Sequence, residues 1–176
     1  MTIFLAGAHG VGKTFLGKPV AQKLNLRHTT ASELIRQERG RATWNTDRRV
    51  TEVDENQAAL IAAVRRLRSE GPEVLLDGHF VLRDAAGALV RLQTGVFLQL
   101  GVGTIIVLEA PPEIIAQRLS DRTGEAQSLT AIGEIVRAER EHAAKVSGDL
   151  HVAVTYLESP TEDELYKIVA TALNPK

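Results

Sequence analysis

The chain has 176 residues, a formal net charge of −1, 44% hydrophobic and 24% charged residues, the profile of a globular domain long enough to bury one core without staples. It contains no cysteine, which excludes a disulfide framework and Cys-ligated zinc, and its near-neutral charge leaves only a local basic cleft as a route to nucleic acid. No apolar run approaches the ~20 residues that span a bilayer and the first strand opens the chain without space for a signal peptide, so a cytoplasmic protein without a membrane partner is expected.

Thr2-Ile3-Phe4-Leu5 reads as a short buried strand. It runs into Leu-Ala-Gly-Ala-His-Gly-Val-Gly-Lys-Thr, residues 5–14, in which Gly7, Gly12, Lys13 and Thr14 satisfy G-x-x-x-x-G-K-[ST]. That pattern is a phosphate-binding loop. Its glycines open backbone angles closed to other residues, so the N–H groups from Gly7 through Ala8, His9, Gly10, Val11 and Gly12 to Lys13 can wrap phosphate oxygens. Lys13 is placed to reach the β- and γ-phosphates of ATP, and the Thr14 hydroxyl to ligate Mg²⁺. A helix from Lys13 to Leu24 aims its positive end at the same anion, with Pro19 inside it as a site for a kink.

A short extended segment at 27–29 precedes a helix from Ser32 to Arg39, with a capping box from Thr30 to Glu33; Leu34 and Ile35 face the core and Arg36 does not. Residues 40–53, with Arg41, Arg48, Arg49 and Trp44, show no periodicity and read as an exposed segment, either a solvated loop or a substrate-facing one. Asp54 then caps a helix with Gln57 completing its box, and Gly71-Pro72 ends it. The strand Glu73–Gly78 ends in Asp77. A carboxylate at the carboxyl end of a buried strand beside a phosphate loop belongs in the Mg²⁺ shell. Glu109, at the end of the apolar strand 104–109, is its weaker competitor.

Between those strands, Phe80–Leu82 and Ala88–Leu92 flank a turn at 84–87 and suggest a hairpin, followed by a short helix from about Thr94 to Leu100. Pro111-Pro112 starts a helix carrying Arg118 and Arg122 four residues apart on one face, placed either to clamp phosphates or to pair with Glu113 and Asp121. After a short polar connection at 123–129, Thr130 caps a long helix to about Val146 with Ile132, Val136 and Ala143 inward. Arg137 and Arg140, interleaved with Glu134, Glu139 and Glu141, read as salt-bridge decoration. A strand at 151–156 and a helix from Pro160 to Leu173 close the chain. Of the histidines, His9 can touch phosphate and His79 can line the site beside Asp77.

Strands near 2–6, 27–29, 73–77, 104–109 and 151–156 alternate with helices, which predicts a three-layer α/β/α fold with a five-stranded parallel sheet and ligand at the strands' carboxyl ends. No repeat or linker divides the chain, so one domain over 1–176 is expected, with an inserted hairpin and short helix at about 80–100.

Over nearly its whole length the chain resembles the P-loop kinases of the adenylate kinase type. Gly7–Thr14 match that family's loop; Thr30–Arg36 is similar to its S-T-G-D-[ML]-[LI]-R segment, and Val74–Gly78 to its L-L-D-G strand end. The resemblance implies that Arg36 holds an acceptor phosphate. It implies that Arg118 and Arg122 sit beside a short lid at 123–129, packing on adenine and binding the transferring phosphate, and that Arg137 or Arg140 reaches the phosphates after the lid. The family's F-P-R after L-L-D-G is replaced here by His79-Phe80-Val81, leaving Arg83 to substitute for the acceptor arginine next to Gly78 and His79.

The resulting expectation is an ATP- and Mg²⁺-dependent kinase passing the γ-phosphoryl group to a nucleotide-like acceptor, foremost a nucleoside monophosphate. A nucleic-acid 5′ end or another hydroxyl is the alternative acceptor, in which case Asp77 can act as its base, and an ATP-binding regulator with a protein partner is the third reading.

Overall fold

Residues 1–39, 53–71, 73–84 and 86–174 are described by a computed structural model, and the side chains of Val53 and Asp54 are outside that description. The segment with Arg41, Trp44, Arg48 and Arg49, the cap at Asp54, and Pro72 therefore lie outside the described residues.

The elements in chain order are β1 (Thr2–Ala6), α1 (Lys13–Lys23), β2 (Arg27–Thr30), α2 (Ala31–Arg39), α3 (Val53–Glu70), β3 (Val74–Asp77), β4 (Val81–Arg83), β5 (Leu89–Arg91), α4 (Thr94–Gln99), β6 (Val102–Glu109), α5 (Pro112–Thr123), α6 (Leu129–Leu150), β7 (Ala153–Glu158) and α7 (Glu162–Leu173). Five strands form a parallel sheet in the order β2-β3-β1-β6-β7, and β4 pairs antiparallel with β5 outside it. This is the α/β fold expected from the alternation of strands and helices.

Apolar runs make the central strands because both faces of a parallel sheet are covered. Along β1, Ile3 and Leu5 point to one face with Val20, Ile115, Leu165 and Val169, while Phe4 and Ala6 point to the other with Leu34, Val64, Phe97 and Val146. The alternation follows from the two-residue period of a strand. Register then places the site: Leu5 of β1 stands beside Asp77 of β3, and Thr30 of β2 flanks Asp77 on its other side.

Several boundaries differ from the sequence reading, each for a local reason. α6 starts two residues earlier than a Thr130 cap implies, because the Ser128 hydroxyl accepts the Ala131 N–H. It also runs to Leu150, and His151 takes a left-handed conformation (φ 54°) whose N–H caps Gly148 and Ser147. The last strand therefore begins at Ala153 rather than at 151. The closing helix starts at Glu162, held by a capping box between Thr161 and Glu164. Thr30 does cap α2, accepting the Glu33 N–H at 3.1 Å.

The insert after β3 is part of the core. Phe80 and Phe97 are fully buried and meet Phe4 at centroid distances of 5.1 and 5.3 Å. Leu92 donates its N–H to the Phe80 carbonyl, binding the end of the hairpin to the segment that follows Asp77. Replacing Phe97 with alanine removes the ring that joins α4 to the sheet and should cost about 3–5 kcal/mol of stability. Urea unfolding measures it, and a loss below about 1 kcal/mol would show that the insert packs independently of the core.

Candidate active site

The loop between β1 and α1 takes its shape from glycine. Gly7 has φ +133°, and a Cβ there would lie 2.2 Å from the Leu108 carbonyl oxygen, so no larger residue fits. Gly12 occupies the N-cap of α1 in a left-handed conformation with no side-chain cap, which leaves the first-turn N–H groups of the helix to a ligand. Lys13 is buried, and its ammonium donates to the carbonyls of Gly7 at 2.6 Å and Ala8 at 3.2 Å. The lysine is thereby held across the concavity of its own loop.

Thr14 and Asp77 meet. The Thr14 hydroxyl donates to Asp77 Oδ2 at 2.7 Å across 63 residues of sequence. Asp77 is 3% exposed, and its other oxygen, Oδ1, has no hydrogen-bond partner, although His28 Nε2 stands 3.3 Å away at ion-pair distance. A buried carboxylate oxygen left open beside a hydroxyl suits a hard, oxygen-seeking cation. Thr14 and Asp77 are therefore the residues that would hold Mg²⁺, and the ion would neutralise charge on the phosphates.

Arg118 reaches the loop from α5, donating to the Val11 carbonyl at 2.8 Å. Arg122, one turn on, and Arg137 on α6 are exposed. The structure thus brings Arg118 to the phosphate loop and leaves the other two on the surface. Arg140 is held by Glu109 and stacks 4.2 Å above the Tyr156 ring, so Glu109 is committed to an arginine rather than to a metal site. Arg36 is exposed on α2, one helix beyond the β2 strand end. Arg83 donates to the carbonyls of Gly87 at 2.7 Å and Ala131 at 3.2 Å, which ties the hairpin to the start of α6.

His79 packs against His9 of the loop with ring centroids 3.9 Å apart. Gly78, between Asp77 and His79, lies on Phe4; a Cβ at that position would stand 2.5 Å from the ring.

Glu139 is the functional candidate that the sequence reading missed. It is not surface decoration: it is 1% exposed and accepts the N–H of Phe80 on both oxygens and that of Val81 on Oε1, each at 3.1 Å. His79 Nδ1 lies 3.4 Å from the same Oε1. A signal was present. Glu139 stands three residues after Val136 and four before Ala143, within the inward series of its helix. A carboxylate on an apolar stripe is expected to be buried and bonded. Burial pushes its pKa up to about 7, opposed by attraction to Lys13 and by the N–H groups of Phe80 and Val81.

The family model AAA_17, described as an AAA domain, matches residues 6–136. The chain belongs to this family. It is 29% identical over 138 residues to shikimate kinase 2 of Yersinia pseudotuberculosis, covering 78% of this chain and 74% of the relative. Its fold matches the crystal structure of shikimate kinase from Aquifex aeolicus with a TM-score of 0.61 at 16% identity, covering 98% of this chain and 96% of that one. The YorR protein of Bacillus subtilis, solved with phosphorylated GDP, matches with the same TM-score and identity over 98% of this chain and 95% of that one. These likenesses agree with an ATP-dependent P-loop kinase that uses Mg²⁺; they do not single out the adenylate kinase type.

The raised pKa of Glu139 has a consequence for stability. The folded state holds the proton more tightly than the unfolded chain, whose value is 4.5. The stabilisation is therefore complete below the unfolded value and lost as pH rises through about 7. The separation corresponds to about 3 kcal/mol. Urea titrations of the protein and of Glu139→Gln at pH 4.5 and pH 8 should show the native protein losing about that much relative to the variant. A gap that stays constant with pH contradicts the assignment.

Proposed function

We propose that this Mg·ATP-dependent kinase transfers the γ-phosphoryl group to a hydroxyl of a small polar molecule bound beside the turn that follows Asp77. The observation that carries this reading is the capture of Arg83. The arginine that would have to replace the missing acceptor-phosphate ligand donates instead to two backbone carbonyls, those of Gly87 and Ala131. An acceptor that brings its own phosphate needs cationic donors at that place, preferably a bidentate arginine. A hydroxylated acceptor does not. The relatives named shikimate kinase 2 support the same class.

On the donor side, Lys13, the loop amides and the N-terminus of α1 stabilise charge on the ATP phosphates, with Arg118 closing the loop from α5. Thr14 and Asp77, which meet at 2.7 Å, would hold the cation. The transition state of phosphoryl transfer is loose, so these residues act by positioning and neutralisation rather than by covalent chemistry.

A second reading, transfer to a nucleoside monophosphate, is favoured by one observation: Arg36 projects from α2, immediately after the strand β2 that runs beside Asp77. A nucleic-acid end is less favoured, because the chain's net charge is −1.

The protein incubated with ATP, Mg²⁺ and separate panels of hydroxylated carboxylates (shikimate and gluconate among them), nucleosides, nucleoside monophosphates and 5′-hydroxyl oligonucleotides decides among these. ADP formation that depends on a hydroxylated small molecule is the expected outcome. Turnover with nucleoside monophosphates alone would replace this reading with the second, and ADP formation indifferent to every acceptor would remove both.

A further inference from the structure

The turn after Asp77 is gripped from two sides. Beneath it, Gly78 rests on the Phe4 ring so closely that a Cβ would lie 2.5 Å from it. Beside it, both oxygens of Glu139 accept the Phe80 N–H, and Oε1 also takes the Val81 N–H. The same Oε1 is 3.4 Å from His79 Nδ1, and the His79 ring packs at 3.9 Å on His9 of the phosphate loop. One buried carboxylate thus links α6, the strand-end turn and the loop that cradles the donor.

The geometry points to Glu139 as a positioning residue for phosphoryl transfer: its carboxylate fixes the turn 78–81, and through His79 sets that turn against the phosphate loop where the acceptor must be aligned. This inference rests on the kinase reading above. It adds a residue outside the G-x-x-x-x-G-K-T motif and the Asp77 strand end, supplied by the helix that follows α5. The α5–α6 pair then touches the site twice, at the loop through Arg118 and at the acceptor turn through Glu139.

The arrangement calls for oxygen acceptors facing the turn. Two backbone N–H groups and a ring nitrogen converge on two oxygens, and an amide of the same size would set its NH₂ against at least one of those donors. Glu139→Gln keeps the volume while breaking the polarity, and Glu139→Asp keeps the polarity while retracting the carboxylate by one methylene. A displacement of the turn by about 1 Å is expected to slow transfer by roughly 100-fold without loosening nucleotide binding.

The test is run at pH 8, where Glu139 is ionised, on the full chain and both variants. Acceptor-dependent kcat and KM, Mg·ATP affinity from a fluorescent nucleotide, and the ¹⁵N spectrum of the His79 imidazole are measured. For folded Glu139→Gln the expected result is an Mg·ATP affinity within about twofold, a kcat lower by roughly 100-fold, and a changed His79 nitrogen spectrum. Glu139→Asp should fall between the two, and serves in its place if the glutamine variant does not fold. A normal kcat in the folded variants, or a loss wholly explained by weaker nucleotide binding, overturns the inference. If the unaltered protein transfers to no acceptor, the kinase reading fails and the role of Glu139 in transfer fails with it, whereas an unchanged His79 spectrum in the variants of an active protein refutes the link from Glu139 to the turn by itself.

Discussion

The hydrogen bond from Thr14 to Asp77 is the contact around which the molecule is arranged. It joins the first turn of α1 to the end of β3 across 63 residues. It exists only because β1 and β3 are parallel neighbours with Leu5 beside Asp77. Parallel neighbours need a long crossover, and here α1, β2, α2 and α3 supply it. The sheet order therefore serves one local purpose: it sets a hydroxyl from the phosphate loop against a buried carboxylate that keeps one oxygen open.

A site made this way concentrates charge where the dielectric is low. Lys13, Asp77 and Glu139 are all among the buried residues, and each has a hydrogen-bond partner, although Asp77 keeps Oδ1 open. The ammonium sits on loop carbonyls, one carboxylate on a hydroxyl, the other on backbone N–H groups. Unpaired, any of them would cost several kcal/mol or change its protonation. Glu139 does the latter in part, since burial outweighs the pull of Lys13 and lifts its pKa to about 7.

The geometry around the loop at residues 7–14 was legible in the sequence because its determinants are local. Gly7, Gly12, Lys13 and Thr14 lie within one loop, and Asp77 announces itself at the end of a four-residue buried strand. Four of the five parallel strands followed from apolar runs, although β7 begins later than expected because α6 is longer than its apolar stripe suggests. The turn after Asp77 depends on contacts between distant segments and was read less well. Arg83 is captured by carbonyls 4 and 48 residues away, which no spacing rule foretells. Glu139 was hidden among Arg137, Arg140 and Glu141, where alternating charge imitates a solvated face; only its place in the inward series set it apart.

The central claim, that Thr14 and Asp77 together hold the cation of a phosphotransfer site, is tested most directly by a double-mutant cycle. Thr14→Ala, Asp77→Asn and the double variant are compared by the Mg²⁺ concentration that half-activates ATP turnover and by kcat. Each single substitution should raise that concentration and lower kcat by about 100-fold or more, and the double variant should be little worse than the poorer single one, because residues acting as a unit are not additive. Independent, additive losses with an unchanged Mg²⁺ requirement would contradict the account.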